Sequence, residues 1–298
     1  MSSIQVPMPP VRKPFDFQPK PPYPHRPVVN QPRKPPMTVA IGMLCEDGIV
    51  LASDSKYRTN GEDEFGKKIY PLPHSDWLRV VVAGAGTVGF IKAAKDKIKS
   101  ALPLAETSLL GVQAFIESVN KAFYESYIVP HPDPFQRPDY GLLIGVAHKT
   151  DGLLLLHTTA NSIAQVDDIQ MEGTGGVVAN CYKPLWRGDM PAYEAELASI
   201  FMVRHAKIHD SKNCGGDTKV FTLLDHDILL SLEKGYIELA EKYFDRFNKL
   251  ALEMVLPSET GELDQSLFQG ALRAVVEDLQ HYRDDLQRYH PHAYRRVT

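Results

Sequence analysis

Cysteine is scarce in this chain. Cys45, Cys181 and Cys214 are its three thiols in 298 residues, and no two of them form a CxxC pair. That excludes a disulfide framework and a thiolate metal centre, and it predicts a reducing compartment, the cytoplasm. Long apolar runs are also missing. None approaches the ~18 residues that a membrane helix needs, so no membrane association is expected. The opening MSSIQVPMPPVRKPF lacks the uninterrupted apolar centre of a signal peptide, which argues against secretion.

What is present is the balance of a globular protein, with 43% hydrophobic and 23% charged residues. Its distribution is uneven. Twelve of the 23 prolines lie in residues 1–36, where they remove backbone donors and force extended geometry. Residues 1–37 are therefore expected to form a disordered tail or a propeptide. The same stretch carries Arg12, Lys13, Lys20, Arg26, Arg33 and Lys34 against Asp16, a net of +5, so the rest of the chain holds −4 − 5 = −9. The charges are scattered rather than clustered, so the tail reads as solvated, without nucleic acid as a partner.

From Thr38 the pattern changes. TVAIGMLCEDGIVLASDSKY places two runs of β-formers around Glu46-Asp47-Gly48 and predicts a hairpin. WLRVVVAGAG (77–86) predicts a strand ending in small residues. In the next segment Val88, Ile91, Ala94, Ile98 and Leu102 fall near one helical face, with Pro103 as the stop. A second amphipathic helix follows. Strands then surround Lys149-Thr150-Asp151-Gly152, a further strand enters a glycine-rich turn at EGTGG, MPAYEAELASIFMVRHAKIHD is helical, and DTKVFTLLD is a strand. From Asp225 to the C-terminus the chain reads as helical and charged. Strands, helices, strands, helix, strand is an α+β order that suits two sheets between helical layers, an αββα sandwich, better than a doubly wound fold.

The ordered set TVAIGMLCEDGIVLASDSKY, GKKIYPL and VVVAGAG resembles the β-type subunits of the 20S proteasome and their bacterial relatives in the N-terminal nucleophile (Ntn) hydrolase superfamily. The resemblance runs over about 38–224 and leaves 225–298 as a helical extension packed on or beside that domain. It implies a threonine hydrolase in which Thr38, once N-terminal, attacks a peptide or other amide carbonyl, with its own α-amine as the base. An α-amine titrates near ~7.7–8.0 and can accept a proton, whereas an amide nitrogen cannot. On this reading an internal Thr38 has no general base.

Carried onto this sequence, the family pattern makes Asp54 the buried acid, Lys68 the lysine that lowers the pKa of the amine, and the Gly84 amide the oxyanion donor. Lys56 stands where the family has arginine and is expected to be structural, or to offer its carbonyl. Thr174, in EGTGG, takes the place of a supporting serine. Asp210 is the counterpart of a supporting aspartate with Ser211 as the substitute, and Cys214 occupies a slot where serine is usual. The family further implies a homo-oligomer, a ring or helical stack, with an ATPase or regulator as partner and no cofactor.

Met37 stands where a self-cleaving precursor carries glycine, and Pro35-Pro36 stiffens the approach to it. Exposure of Thr38 then requires translation from Met37 followed by removal of that methionine, or trimming by another protease. Without either, the chain is an inactive proteasome-like scaffold; transfer of the acyl group to an amine is a third reading. Other signals are weaker. Cys45 and Cys214 have no histidine motif to activate them, His290 and His292 lack further ligands at recognisable spacing, and AGAGTVG lacks the βαβ order of a dinucleotide site.

Overall fold

In a computed structural model of the chain, the residues described are 38–59, 62–72, 75–102, 108–133, 137–224, 228–255, 265–289 and 294–296. The proline-rich tail, Pro103, His290 and His292 lie outside them.

The predicted hairpin forms as β1 (Ala40–Leu44) and β2 (Gly48–Ser53), in register from Ala40 opposite Ser53 to Leu44 opposite Ile49. Both of its faces are buried, which explains the nearly continuous apolar run. Val39, Ile41 and Met43 pack toward helices, while Ala40 joins the core between the sheets. A small hairpin, β3 (Lys56–Thr59) and β4 (Glu62–Phe65), stands apart as its own two-stranded sheet. Sequence did not reveal it, because EDEF is poor in β-formers.

The second sheet runs in the order β5 (Ile69–Pro71), β6 (Leu78–Gly86), β7 (Tyr140–His148), β8 (Gly152–Thr159), β9 (Ser162–Val166). In β6 the alternation is clean: Val80 and Val82 face helices, while Val81, Ala83 and Ala85 face the other sheet. The covering helices are α1 (Val88–Ala101), which buries Ile91, Ala94 and Ile98, and α2 (Leu109–Phe123), which buries Val112, Ile116 and Phe123. The Ser108 hydroxyl caps α2 by accepting from the Gly111 amide at 3.1 Å. The predicted face of α1 is therefore the buried one, save Val88, which is half-exposed.

The first sheet has the order β10 (Ile169–Glu172), β1, β2, β11 (Lys219–Leu224), β12 (Ile228–Leu232), β13 (Tyr294–Arg296). Its outer face is covered by α3 (Thr174–Asn180), α4 (Ala192–His209) and α5 (Lys234–Val255), while α6 (Gln265–Tyr289) lies on α5 through the Tyr243–Asp285 hydrogen bond of 2.7 Å. The four-layer αββα order expected from sequence is present. The helical reading of the C-terminal part holds for α5 and α6 but not for Ile228–Leu232 and Tyr294–Arg296. Those two segments extend the sheet beyond β11, because an edge strand offers backbone groups that must be paired.

One buried carboxylate ties this extension down. Glu196 of α4 is 2% exposed. It accepts from the Thr222 hydroxyl and, at 2.9 Å, from the Tyr294 phenol. Burial pushes it up to about 6, against an ordinary 4.5. The folded state therefore holds that proton more tightly than the unfolded chain, so this contribution is complete below 4.5 and lost as pH rises through about 6. Thermal melts across that window should show the wild type losing about 2 kcal/mol relative to Glu196→Gln. Parallel curves for the two proteins would contradict it.

Candidate active site

Thr38 leads into β1 at the end of the sandwich and is 2% exposed. Asp54 follows β2, the neighbouring strand, and is fully buried. Its Oδ1 accepts from the Thr38 hydroxyl at 2.8 Å and from the Val39 amide at 3.1 Å; its Oδ2 accepts from the amides of Gly215 at 2.9 Å and Lys56 at 3.2 Å. Three backbone donors thus hold the carboxylate in place. Lys68, just before β5 in the opposite sheet, crosses to Asp54 Oδ1 at 2.6 Å and also touches Thr38 Oγ1. Burial pushes the Lys68 ammonium below the ordinary lysine value, and the Asp54 carboxylate opposes that shift. The hydroxyl therefore sits between an acid and an amine, both removed from water.

Behind Thr38 the chain from β10 into α3 is moulded onto its carbonyl. The Gly175 amide donates to Thr38 O at 3.0 Å. Gly173 has φ +88°, and a Cβ there would lie 2.2 Å from the same oxygen, so glycine is required on both counts. Thr174 lies between them, and its hydroxyl oxygen is buried without a hydrogen-bond partner.

Of the residues predicted from sequence, Thr38, Asp54 and Lys68 meet directly, and Thr174 lies beside them. The Gly84 amide already donates to Lys68 O at 3.1 Å, which commits it to the ladder. Strand alternation turns the Gly86 amide the same way, beyond the end of β5, and Gly86 lines the cleft beside Thr38 together with Tyr57, Tyr70, Val88 and Ile91. Gly86 has φ +116° and a Cβ there would meet Asp139 O at 2.5 Å. Sequence could not separate the two glycines, because the choice depends on register.

The remaining supports are more distant. The Lys56 ammonium is spent on Ser211 O at 3.0 Å and on Asp63 at 2.9 Å, and the Ser211 side chain is exposed. Asp210 accepts from Asn213 at 2.7 Å and from the Cys214 thiol at 3.9 Å. Burial, then the Asp54 charge, pushes Cys214 up to about 12, and burial does the same to Cys45. Neither is a thiolate at neutral pH. Among the described residues no group of three or more His, Cys, Asp or Glu could hold a metal ion, and no helix is long and apolar enough to cross a membrane.

No family model matches the chain. Solved structures of similar fold include Anbu (ancestral beta-subunit) from Yersinia bercovieri, at TM-score 0.62 and 13% identity over 74% of this chain and 98% of that one. The helical assembly of the Anbu complex from Pseudomonas aeruginosa matches at TM-score 0.61 and 15% identity, over 74% and 98%. At those identities the likeness concerns the fold, which is that of a proteasome-like Ntn hydrolase. In sequence, the chain is 31% identical over 147 residues to the proteasome subunit beta of Nanoarchaeum equitans (strain Kin4-M), an alignment spanning 48% of this chain and 70% of that subunit. With that identity, that coverage and a shared fold, the chain belongs to the proteasome β-subunit family.

Proposed function

We propose that the protein is a threonine-type amidohydrolase or peptidase whose nucleophile is Thr38, acting once the residues before it are absent. The observation that carries this reading is the Thr38 hydroxyl held between Asp54 and Lys68, 2.8 Å from the first and in contact with the second. As Oγ attacks the carbonyl, its proton passes to nitrogen. Lys68 reaches the hydroxyl, and its burial favours the neutral amine, so it is one candidate for that nitrogen. In the released form the α-amine would be a second acceptor, and the Thr174 hydroxyl, buried without a hydrogen-bond partner, is the group assigned to hold it. The Gly86 amide, rather than that of Gly84, then faces the developing oxyanion. Collapse of the tetrahedral intermediate expels the protonated amine and leaves an ester on Thr38. Water, activated by the same nitrogen, hydrolyses it.

The assembly is proposed to be homo-oligomeric and cytoplasmic; the Anbu complex of Pseudomonas aeruginosa forms a helical assembly. To test the nucleophile, protein beginning at Thr38 is treated with a threonine-directed β-lactone. One adduct per chain is expected, mapped to Thr38. Protein that retains residues 1–37 and takes up no lactone, beside a released form that does, would support trimming as the activating event. A released form that stays unmodified supports the scaffold reading instead.

A further inference from the structure

Thr38 lies between two polar crossings of the sandwich, and only one of them enters the chemistry. On the β2 side, Lys68 meets Asp54. On the β10 side, His157 of β8 reaches across from the second sheet, and its Nε2 stands 2.5 Å from Glu172 Oε1. Ala40 is directly opposite Glu172 in the ladder, and Ala40 belongs to the core between the sheets, so the Glu172 side chain points into that space. Thr38 precedes Ala40 by two residues and shares its face.

Room for the carboxylate is made by Gly141 of β7, where a Cβ would lie 2.5 Å from Glu172 Oε2. Gln170 is a further polar neighbour, its Nε2 standing 3.5 Å from Oε1. Glu172 is mostly buried, with its side chain 19% exposed, and the His157 side chain is 14% exposed. Placing a polar pair at the edge of an apolar core costs desolvation, which an apolar pair would not incur. Stability alone does not account for it. Glu172 is also the residue immediately before Gly173, and the turn that follows grips the carbonyl of Thr38 through the Gly175 amide.

We propose that His157 and Glu172 form a positioning pair for the nucleophile. By tying the end of β10 to the opposite sheet, the pair pins the 173–175 turn, and that turn orients Thr38. A nucleophile displaced by about 1 Å can lose up to ~10²-fold in rate, so a modest loosening has a measurable effect. The kinetic part rests on the nucleophile reading above; the structural part does not.

Amide hydrogen exchange at Gly175 reads the structural part directly. His157→Ala and Glu172→Ala should each raise the exchange rate at Gly175 by about tenfold. With lactone, the inactivation rate constant at saturation should fall about tenfold while the half-saturating concentration stays unchanged. His157→Gln keeps a donor for the carboxylate and should stay within about twofold of wild type on both readouts. If an alanine variant does not fold, Glu172→Gln takes its place, with an intermediate rise expected. Faster Gly175 exchange together with an inert wild-type Thr38 would keep the pinning role and end the hydrolase reading. Unchanged Gly175 exchange in folded alanine variants, or an equal loss in His157→Gln, overturns the proposal.

Discussion

Lys68→Ala is expected to slow acylation of Thr38 by about 10³-fold, the range in which a lost general base falls. The amine is the one side-chain nitrogen in the described site that contacts both Thr38 Oγ1 and Asp54 Oδ1. Alanine leaves Asp54 with its three backbone donors, Val39, Lys56 and Gly215, but takes the counter-charge from a buried carboxylate, so stability is lost along with the reaction. The diagnostic is the loss of lactone reactivity measured at a temperature where the variant's own melting curve shows it still folded. A variant that reacts at the wild-type rate would remove Lys68 from the mechanism and return the base role to the α-amine alone.

Asp54→Ala should be the most destabilising single change at the site. The carboxylate is fully buried and accepts from three amides, a hydroxyl and an ammonium. Removing it leaves a buried cation and orphaned amides, a cost of about 3–5 kcal/mol, to be read from denaturant midpoints. Asp54→Asn keeps the shape and removes the charge. Since the carboxylate is what raises the depressed Lys68 value, its loss should depress that value further. The alkaline-rising limb of the acylation profile then moves to lower pH. Over the same range the stability of Asp54→Asn should climb as pH rises through the depressed lysine value toward 10.5, because the unfolded chain there binds the proton that the folded one has lost. A limb shifted upward would mean that Lys68 is not the titrating group.

Much of this architecture is readable along the chain. The β1–β2 hairpin announces itself by β-formers on both sides of an Asp-Gly turn, α1 by its spacing of apolar residues, and the triple of Thr38, Asp54 and Lys68 by an ordered set of short motifs. These signals are local, and local periodicity survives without tertiary context. The apolar run at Ile228–Leu232 is too short for its period to separate strand from helix, and pairing with β11 settled it as a strand. Tyr294–Arg296 is a strand by virtue of its neighbour β12, and Tyr294 is anchored by Glu196, 98 positions away.

Along the chain, the order of elements pointed to the layers, and the ordered motifs around Thr38, through their resemblance to a known family, pointed to the family and to the meeting of Thr38, Asp54 and Lys68. Only the folded arrangement shows that the Gly84 amide is taken up by Lys68 O, that Lys68 reaches the Thr38 hydroxyl, and that His157 crosses to Glu172. Hydrogen-bond direction alternates residue by residue along a strand, and cross-sheet contacts depend on two registers at once, so neither can be counted off along the chain.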